Sequence, residues 1–358
     1  MPRTLPHRLV AGRAAQTGER HQHALDELRG LDPGAPPVPD AATLDQAFLE
    51  AQLLERLGRW NPDRWRPRML PFGVRSVSPR PHEIVVRVPA EFLPDVLHAV
   101  MPCWDAARDD REYPDVYGIP GLRARHEQGR GILHRPGFPG RLLVPAAPGL
   151  WRKALLVAAG MCGGPGQARL PWLTVPGDWD PGEARFTAAW PDSYSPGGSG
   201  YRESRFASRI MRRLPGLCPR PRARWHDLWV NHHGSGPEIQ FEWENGPAHA
   251  AVLERLLAPE FGPGAQLELR EGQTEQGCRA GTAGHVRLRP ASGDPGCIVL
   301  RRLLSAGSEV TEAGWGLGAV RRAERDAIER LHGYEGTRAP FRTGAPAPAK
   351  AAAAGRAG

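Results

Sequence analysis

Residues 83–101 have the sequence EIVVRVPAEFLPDVLHAVM, and the spacing of the apolar side chains changes partway through this stretch. Residues 83–88 are rich in β-branched side chains, which is typical of a buried strand. After Pro89, apolar side chains recur three and four positions apart through Met101, which predicts a helix. The stretch therefore predicts a strand followed directly by a helix.

Two further strands and a second helix follow after a polar loop. Residues 131–135 and 141–144 are predicted strands, and a Pro-Gly-Phe-Pro-Gly turn lies between them. Residues 150–159 are predicted to form a helix. The predicted order from residue 83 onward is thus β-α-β-β-α.

The same order of elements recurs later in the chain. The predicted elements there are strands at 238–243, 266–270 and 285–289, a helix from Asn245-Gly246-Pro247 through Leu257, and a helix at 297–305. Glu-Ile opens the first strand of both runs, at positions 83 and 238.

The two runs predict an α+β fold with two tandem β-α-β-β-α modules. Each module resembles a split βαβ, or ferredoxin-like, layer of helices on an antiparallel sheet. The alternative is that the local similarities are coincidental and the two runs are unrelated.

The remaining chain divides by composition. In residues 1–60 two helices are predicted, at 20–29 and after Thr43, which caps the second with Gln46 in the capping-box position. The predicted organisation is a helical N-terminal region at 1–60, a first α+β module at 69–161, an irregular Gly/Pro/Trp-rich connector at 162–237 with a basic helix at 201–214, a second module plus C-terminal helix at 238–333, and a disordered tail at 334–358.

Composition excludes several classes of protein. The 358 residues include 47 basic and 39 acidic side chains, a formal charge of +8, and only Lys153 and Lys350 are lysines. This bias toward Arg, Ala, Gly and Pro is typical of GC-rich coding. With two lysines and no G-K-[ST] motif, a P-loop NTPase and a protein kinase are excluded. Without G-x-S-x-G an α/β-hydrolase is disfavoured.

Cysteine spacing and hydropathy predict the compartment. The five cysteines are widely spaced without a C-x-x-C pair, so neither a disulfide framework nor a structural zinc site is expected. No apolar run approaches the roughly 18 residues of a membrane span. We predict a cytoplasmic, reduced protein that does not associate with membranes, with an organelle transit peptide as the alternative because the first eighteen residues lack acids.

The basic helix at 201–214 is the main candidate interaction site. Five of its arginines are predicted to share one face, while apolar side chains line the adjoining face, and more arginines and two tryptophans follow. The candidate nucleic-acid-binding residues are Arg202, Arg205, Arg209, Arg212, Arg213, Arg220, Arg222, Arg224, Trp225 and Trp229. Guanidinium groups bind phosphates, and aromatic rings stack on bases with about 1–3 kcal/mol per base. The alternative is an ordinary solvated helix face, with the tryptophans in the core.

A second cluster suggests chemistry. His226, Asp227, His232 and His233 lie close together in sequence, next to the basic helix. Imidazoles with a carboxylate can hold a divalent metal or act as general base in phosphodiester hydrolysis. Surface or capping histidines are the alternative, and the residues match no established metal motif.

The sequence therefore predicts a nucleic-acid-associated protein whose partner is DNA or RNA. Two other classes stay open: a metal-dependent phosphoesterase or nuclease that uses the His/Asp cluster, and a protein–protein interaction or regulatory protein. No cofactor is predicted.

Overall fold

The protein is a mixed α+β protein with helices at its N-terminal end. The computed structural model describes residues 6–59, 71–108, 114–162, 168–194, 198–217, 224–233, 236–244, 248–269, 273–280 and 285–303, and for 224–233 it describes the backbone alone. The predicted C-terminal helix within 238–333 and the tail at 334–358 lie outside the described residues.

The helices and strands are numbered along the chain. The helices are α1 (His7–Thr17), α2 (His21–Arg29), α3 (Leu44–Arg59), α4 (Leu93–Val100), α5 (Pro148–Met161), α6 (Pro171–Thr174), α7 (Pro181–Ala189), α8 (Pro191–Tyr194), α9 (Ser199–Met211), α10 (Leu214–Leu217), α11 (His249–Leu256) and α12 (Glu275–Ala280). The strands are β1 (Ser76–Arg80), β2 (Glu83–Arg87), β3 (Trp104–Asp105), β4 (Arg123–Glu127), β5 (Arg130–His134), β6 (Arg141–Pro145), β7 (Ala168–Arg169), β8 (Arg224–His233), β9 (Gly236–Glu244), β10 (Ala265–Glu268), β11 (Val286–Pro290) and β12 (Cys297–Leu303).

Two five-stranded sheets have the same strand order and the same directions. The first sheet has the order β1-β2-β6-β5-β4, and the second has β8-β9-β12-β11-β10. In each sheet the second and third strands of this order are parallel, while every other neighbouring pair is antiparallel. A separate pair of short strands, β3 and β7, forms a small third sheet.

Each five-stranded sheet contains strands that were not predicted for its module. Strands β1 and β4 flank the predicted elements of the first module. Strand β8 pairs with β9, although residues 224–233 were predicted to belong to the connector. In the first sheet two strands, β6 and β5, separate β2 from the parallel strand β4, whereas a ferredoxin-like split βαβ has one strand between them. The ferredoxin-like form of the prediction is therefore not confirmed.

Residues 297–303 form a strand, so the prediction of a helix at 297–305 was wrong. The sequence CIVLRRL is a short apolar run, and such a run does not by itself distinguish a strand from a buried helix. Pairing with β9 decides that this run is a strand. Strand β12 lies parallel to β9, with Cys297 opposite Glu238 at one end and Leu303 opposite Glu244 at the other.

The helical predictions elsewhere are confirmed within a few residues. Helices α2, α3, α4 and α5 form where the sequence predicted them, and the Thr43 hydroxyl accepts a hydrogen bond from the Gln46 amide at the start of α3. Gly131 on β5 explains how α5 approaches the first sheet, because a Cβ at that position would lie 2.3 Å from the Trp151 ring.

One hydrophobic core connects both sheets through the helices. Side chains from the inner face of the first sheet and from that of the second belong to the same buried cluster. Helix α3 contacts β6 and β8, and α9 contacts β9, so this helix pair lies against both sheets. The relative position of α3 and α9 therefore sets how the two sheets share the core.

A buried ion pair joins α3 to α9. The Arg212 guanidinium, directly after α9, donates to both carboxylate oxygens of Glu50, at 2.7 and 2.6 Å, and neither side chain is exposed. Ser208 and Gln46 donate to the same carboxylate at 2.6 Å each, while Arg212 also donates to the Pro39 carbonyl. The buried charges are thus paired and hydrogen-bonded, which is the condition under which burial is tolerated.

In the described part of the chain, no helix combines the length and apolar character that crossing a membrane requires.

We expect Arg212→Met to lower the free energy of unfolding by about 3–5 kcal/mol, because it leaves the Glu50 carboxylate buried without its cation. Arg212→Lys keeps the charge but loses the two-pronged geometry, so its effect is expected to be intermediate. Urea unfolding followed by tryptophan fluorescence measures both. The matched control is Arg202→Met on the exposed face of α9, where a change within roughly 0.5 kcal/mol is expected. Equal effects of the two methionine variants would contradict this role.

We also expect stability to fall as the pH drops from about 6.5 to about 4. Burial at the start of α11 and the charge of Arg302 lower the pKa of His249 to about 4, from an ordinary value of 6.5. In this window the unfolded chain binds a proton that the folded chain does not, so acid favours unfolding. Urea unfolding at several pH values should show a shallower decline in His249→Phe than in the natural chain. His82→Phe, at an exposed histidine, is the matched control. An unchanged slope in His249→Phe would count against the assignment.

Candidate functional site

Helix α9 does not display the predicted row of five arginines. Arg202 and Arg205 are exposed, and neither has a carboxylate partner among the described residues. Arg209 pairs with Asp40 at 2.9 Å, while Arg212 and Arg213 are buried. The expectation that all five face solvent is therefore corrected: Arg212 and Arg213 are structural.

Arg213 illustrates why a helical wheel misplaced these side chains. Its guanidinium donates to the carbonyls of Phe261 at 2.6 Å, Val38 at 3.1 Å and Arg209 at 3.0 Å. Burial lowers its pKa to about 10. Phe261 and Val38 belong to distant segments, so the buried Arg213 side chain connects these loops to α9 and cannot reach a phosphate in solution.

The other predicted contacts lie on or near β8. Arg224, Trp225 and Trp229 are in this strand, with Trp225 opposite Trp243 and Trp229 opposite Gln240 on β9. Arg220 and Arg222 lie outside the described residues. The structure therefore places the two tryptophans in a sheet and does not describe their side chains.

The predicted His/Asp cluster is divided between the two ends of the same strand. His226 and Asp227 lie near its start, and His232 and His233 end it. Five positions separate Asp227 from His232, which is roughly 17 Å at about 3.3 Å per residue. One metal ion cannot contact residues that far apart, so the four residues form two separate pairs. Across the side chains that the structure describes, no group of three or more metal-ligating residues is found.

A different surface concentrates unpaired positive charge. The outer face of the first sheet, on the side opposite the shared core, is formed by alternate residues of its five strands in three cross-strand rows. The rows are Arg80, Glu83, Arg141, His134 and Arg123; Ser78, Val85, Leu143, Ile132 and Arg125; and Ser76, Arg87, Pro145, Arg130 and Glu127. We call this surface the first-sheet outer face.

An apolar stripe crosses the middle of the first-sheet outer face. Val85, Ile132 and Leu143 pack together and are exposed by only 4%, 6% and 4%. The charged rows lie two residues to either side of it, roughly 7 Å away along the strands. Charged groups at the border of such a stripe are partly removed from water, so their interactions with an added anion are stronger than at a fully solvated site.

The arginines on this face outnumber the carboxylates. Arg80, Arg87, Arg125, Arg130 and Arg141 are at least partly exposed there, while Glu83 and Glu127 are the acids of the three rows, and Arg123 is buried against Glu183. Glu83 binds Arg80 at 2.7 Å and Arg141 at 2.8 Å, and Glu127 lies 3.2 Å from Arg125. The acids are thus already shared among three arginines.

Arg87 and Arg130 make no ion pair with any carboxylate among the described residues. The Arg87 guanidinium donates to the Ser78 hydroxyl at 2.6 Å. Burial lowers its pKa, the carboxylates of Glu19 and Glu27 act in the opposite direction, and the charges of Arg80 and Arg130 lower it further. Burial also lowers the pKa of His134 in the first row, and the charges of Arg125 and Arg123 lower it further. The charge effects at His134 indicate a positive local potential on that side of the face, whereas the shift at Arg87 is due mainly to burial.

The equivalent face of the second sheet has different chemistry. Its central row pairs Gln240 with Val299 and Val299 with Arg287, where the first sheet has its apolar stripe. Arg287 lies 3.5 Å from Glu238 and 3.2 Å from Glu268, at a shallow groove of about 430 Å³. Here the positive charge is balanced by nearby carboxylates.

The first-sheet outer face was not predicted from the sequence. Arg125, Arg130 and Arg141 are spread over three strands with acids and apolar residues between them, so no local excess of charge marks them. A strand at residues 123–127, had it been predicted, would have placed Arg125 in phase with Arg130 and Arg141.

Comparison of the chain with family models, with curated proteins and with solved structures found no match.

Proposed function

We propose that the protein binds nucleic acid, with the arginines of the first-sheet outer face contacting the phosphate backbone. The observation behind this proposal is the pair of arginines, Arg87 and Arg130, that lack a carboxylate partner among the described residues beside the apolar stripe. A guanidinium presents a planar set of donors that matches two phosphate oxygens. An anion with repeated phosphates would pair both groups at once.

The geometry of the rows favours an extended polyanion over a single small anion. Basic side chains lie on both sides of the stripe and on all five strands, so the positive groups are distributed over the face. Nucleic-acid binding that depends on such distributed contacts is mostly independent of sequence and strongly sensitive to salt. The stripe contains no aromatic ring, so stacking on bases is not expected from these three residues.

Helix α9 supplies a second, smaller set of contacts in this proposal. Arg202 and Arg205 are the members of the predicted arginine row that are exposed and lack a carboxylate partner in the described structure. The arginine-rich helix therefore contributes through two side chains, not five.

We further propose that the two five-stranded sheets are repeats of one structural unit. Support comes from the shared strand order, the shared directions, and the helix that follows the second strand of each unit, α4 or α11. On this view one copy kept a balanced outer face, and the other acquired the arginines.

Binding of the nuclease-treated protein to labelled single- and double-stranded DNA and RNA tests the function. We expect Arg87→Gln combined with Arg130→Gln to weaken binding about tenfold at low salt. The slope of log K against log salt should become shallower by about 1.5–2, because two phosphate contacts are lost. Fluorescence anisotropy at several salt concentrations measures both quantities.

The matched control removes the same charge elsewhere. Arg152 and Lys153 are exposed on α5, which packs against the inner side of the first sheet. Arg152→Gln with Lys153→Gln should change affinity less than threefold. Arg202→Gln with Arg205→Gln tests the helix separately and should have a smaller effect than the sheet variant.

Three outcomes would contradict the proposal. Unchanged binding in a folded Arg87→Gln/Arg130→Gln variant would exclude the first-sheet outer face as the site. Absence of binding by the natural chain at low salt, with a protein that co-purifies after nuclease treatment, would favour the interaction-protein alternative. Cleavage that requires magnesium and disappears in His232→Ala would instead favour the nuclease alternative.

A further inference from the structure

Cys103 and Cys162 come together although 59 positions separate them in sequence. Cys103 lies between α4 and β3, and Cys162 caps the C-terminal end of α5. The strands that follow the two cysteines pair with each other, since Trp104 is opposite Arg169. The Cys103 backbone is also bonded in both directions to Tyr117, at 3.1 and 2.8 Å, which holds this cysteine in place.

A histidine completes the cluster. The Cys162 sulfur lies 3.4 Å from Nδ1 of His98 on α4, and the thiols of Cys162 and Cys103 are close enough for each to shift the pKa of the other. Cys103 is 3% exposed, whereas Cys162 is partly accessible. Cys162 is therefore the more accessible residue of the two.

The contacts distinguish the two sulfurs chemically. Hydrogen bonds from Cys103 and from His98 lower the pKa of Cys162 to about 6. The same contact with Cys162, together with burial, raises the pKa of Cys103. Of the two sulfurs, Cys162 is thus the one that more readily becomes the thiolate, the form that reacts with electrophilic sulfur.

We propose that Cys162, Cys103 and His98 form a thiol–disulfide exchange site for low-molecular-weight disulfides, with Cys162 as the attacking sulfur and Cys103 as the resolving one. This site is separate from the first-sheet outer face and does not depend on the proposed nucleic-acid binding.

The exchange takes place in two steps. The Cys162 thiolate attacks one sulfur of a disulfide RSSR, which forms a mixed disulfide and releases RS⁻. The Cys103 thiol then gives its proton to the released RS⁻ and attacks the Cys162 sulfur. A Cys103–Cys162 disulfide forms and the second RS⁻ leaves. Two protein thiols are oxidised, and one RSSR is reduced to two thiols after protonation.

The other described cysteines serve as internal controls. Cys278 and Cys297 are buried, and burial raises the pKa of both, to about 11 for Cys297. Cys297 lies 3.8 Å from a Glu238 carboxylate oxygen, which disfavours a thiolate. Neither should react at a rate comparable to Cys162.

The test is incubation of the folded full chain with oxidised glutathione, followed by alkylation, thiol counting and peptide mass mapping. The natural chain should lose two titratable thiols and yield a Cys103–Cys162 cross-linked peptide. Cys103→Ser, or Cys103→Ala if serine is not tolerated at this buried position, should stop at a glutathione adduct on Cys162. Cys297→Ser, the matched control, should still form the disulfide.

His98 is a positioning residue in this proposal, and its test uses a pH profile. In His98→Gln the pH at which Cys162 alkylation by iodoacetamide is half-maximal should rise, and the rate at pH 7 should fall roughly fivefold or more. The proposal is overturned if the folded natural chain forms no Cys103–Cys162 disulfide. It is equally overturned if the adduct in Cys103→Ser forms on another cysteine, or if the pH profile in His98→Gln is unchanged.

Discussion

The contact between Arg212 and Glu50 is the constraint on which the rest of the architecture depends. A carboxylate with no exposed surface is stable in an apolar core only when several donors surround it, and Glu50 receives bonds from Arg212, Ser208 and Gln46. The Gln46 side chain also bonds both backbone groups of Arg141, at 2.8 and 3.2 Å. The same group of side chains thus joins α9, α3 and the start of β6, which connects the helix pair to the first sheet.

Two similar buried arginine–glutamate ion pairs connect helices to the edge strands of the first sheet. Arg13 binds Glu19 at 2.7 Å, and Glu19 also accepts from Ser78, so the N-terminal helices are tied to β1. Arg123 binds Glu183 at 2.6 Å and donates to carbonyls before α7. In a chain with almost no lysine, arginine therefore has two distinct uses. Where its guanidinium is bound by carboxylates and carbonyls, arginine is a structural residue. Where it has no carboxylate partner among the described residues, as at Arg87 and Arg130, we propose that it contacts a ligand.

This distinction explains how much the sequence could predict. The change of hydrophobic period after Val88 correctly predicted β2 and α4, and the capping residue Thr43 correctly placed the start of α3. The α+β class follows from such local patterns. The strand at 297–303 was missed because its short apolar run fits both a strand and a buried helix, and only its pairing with β9, 59 positions earlier, decides between them. The candidate site was harder to predict than the fold. Helical periodicity shows which arginines share a face, but it does not show that the Arg212 guanidinium is bound by the Glu50 carboxylate and the Pro39 carbonyl.

The separation between Glu50 and Arg212 has a consequence for how the chain acquires its fold. The two residues are 162 positions apart, so during synthesis at about 5–20 residues per second the carboxylate waits roughly 8–32 s for its guanidinium to emerge. During that interval α3 presents an apolar face that contains the unpaired Glu50 carboxylate, and the helix that packs against α3 has not yet been made. Contacts of such long range slow folding because the intervening loop must be closed before they form. The nascent chain is consequently most vulnerable to misassociation before α9 has been made.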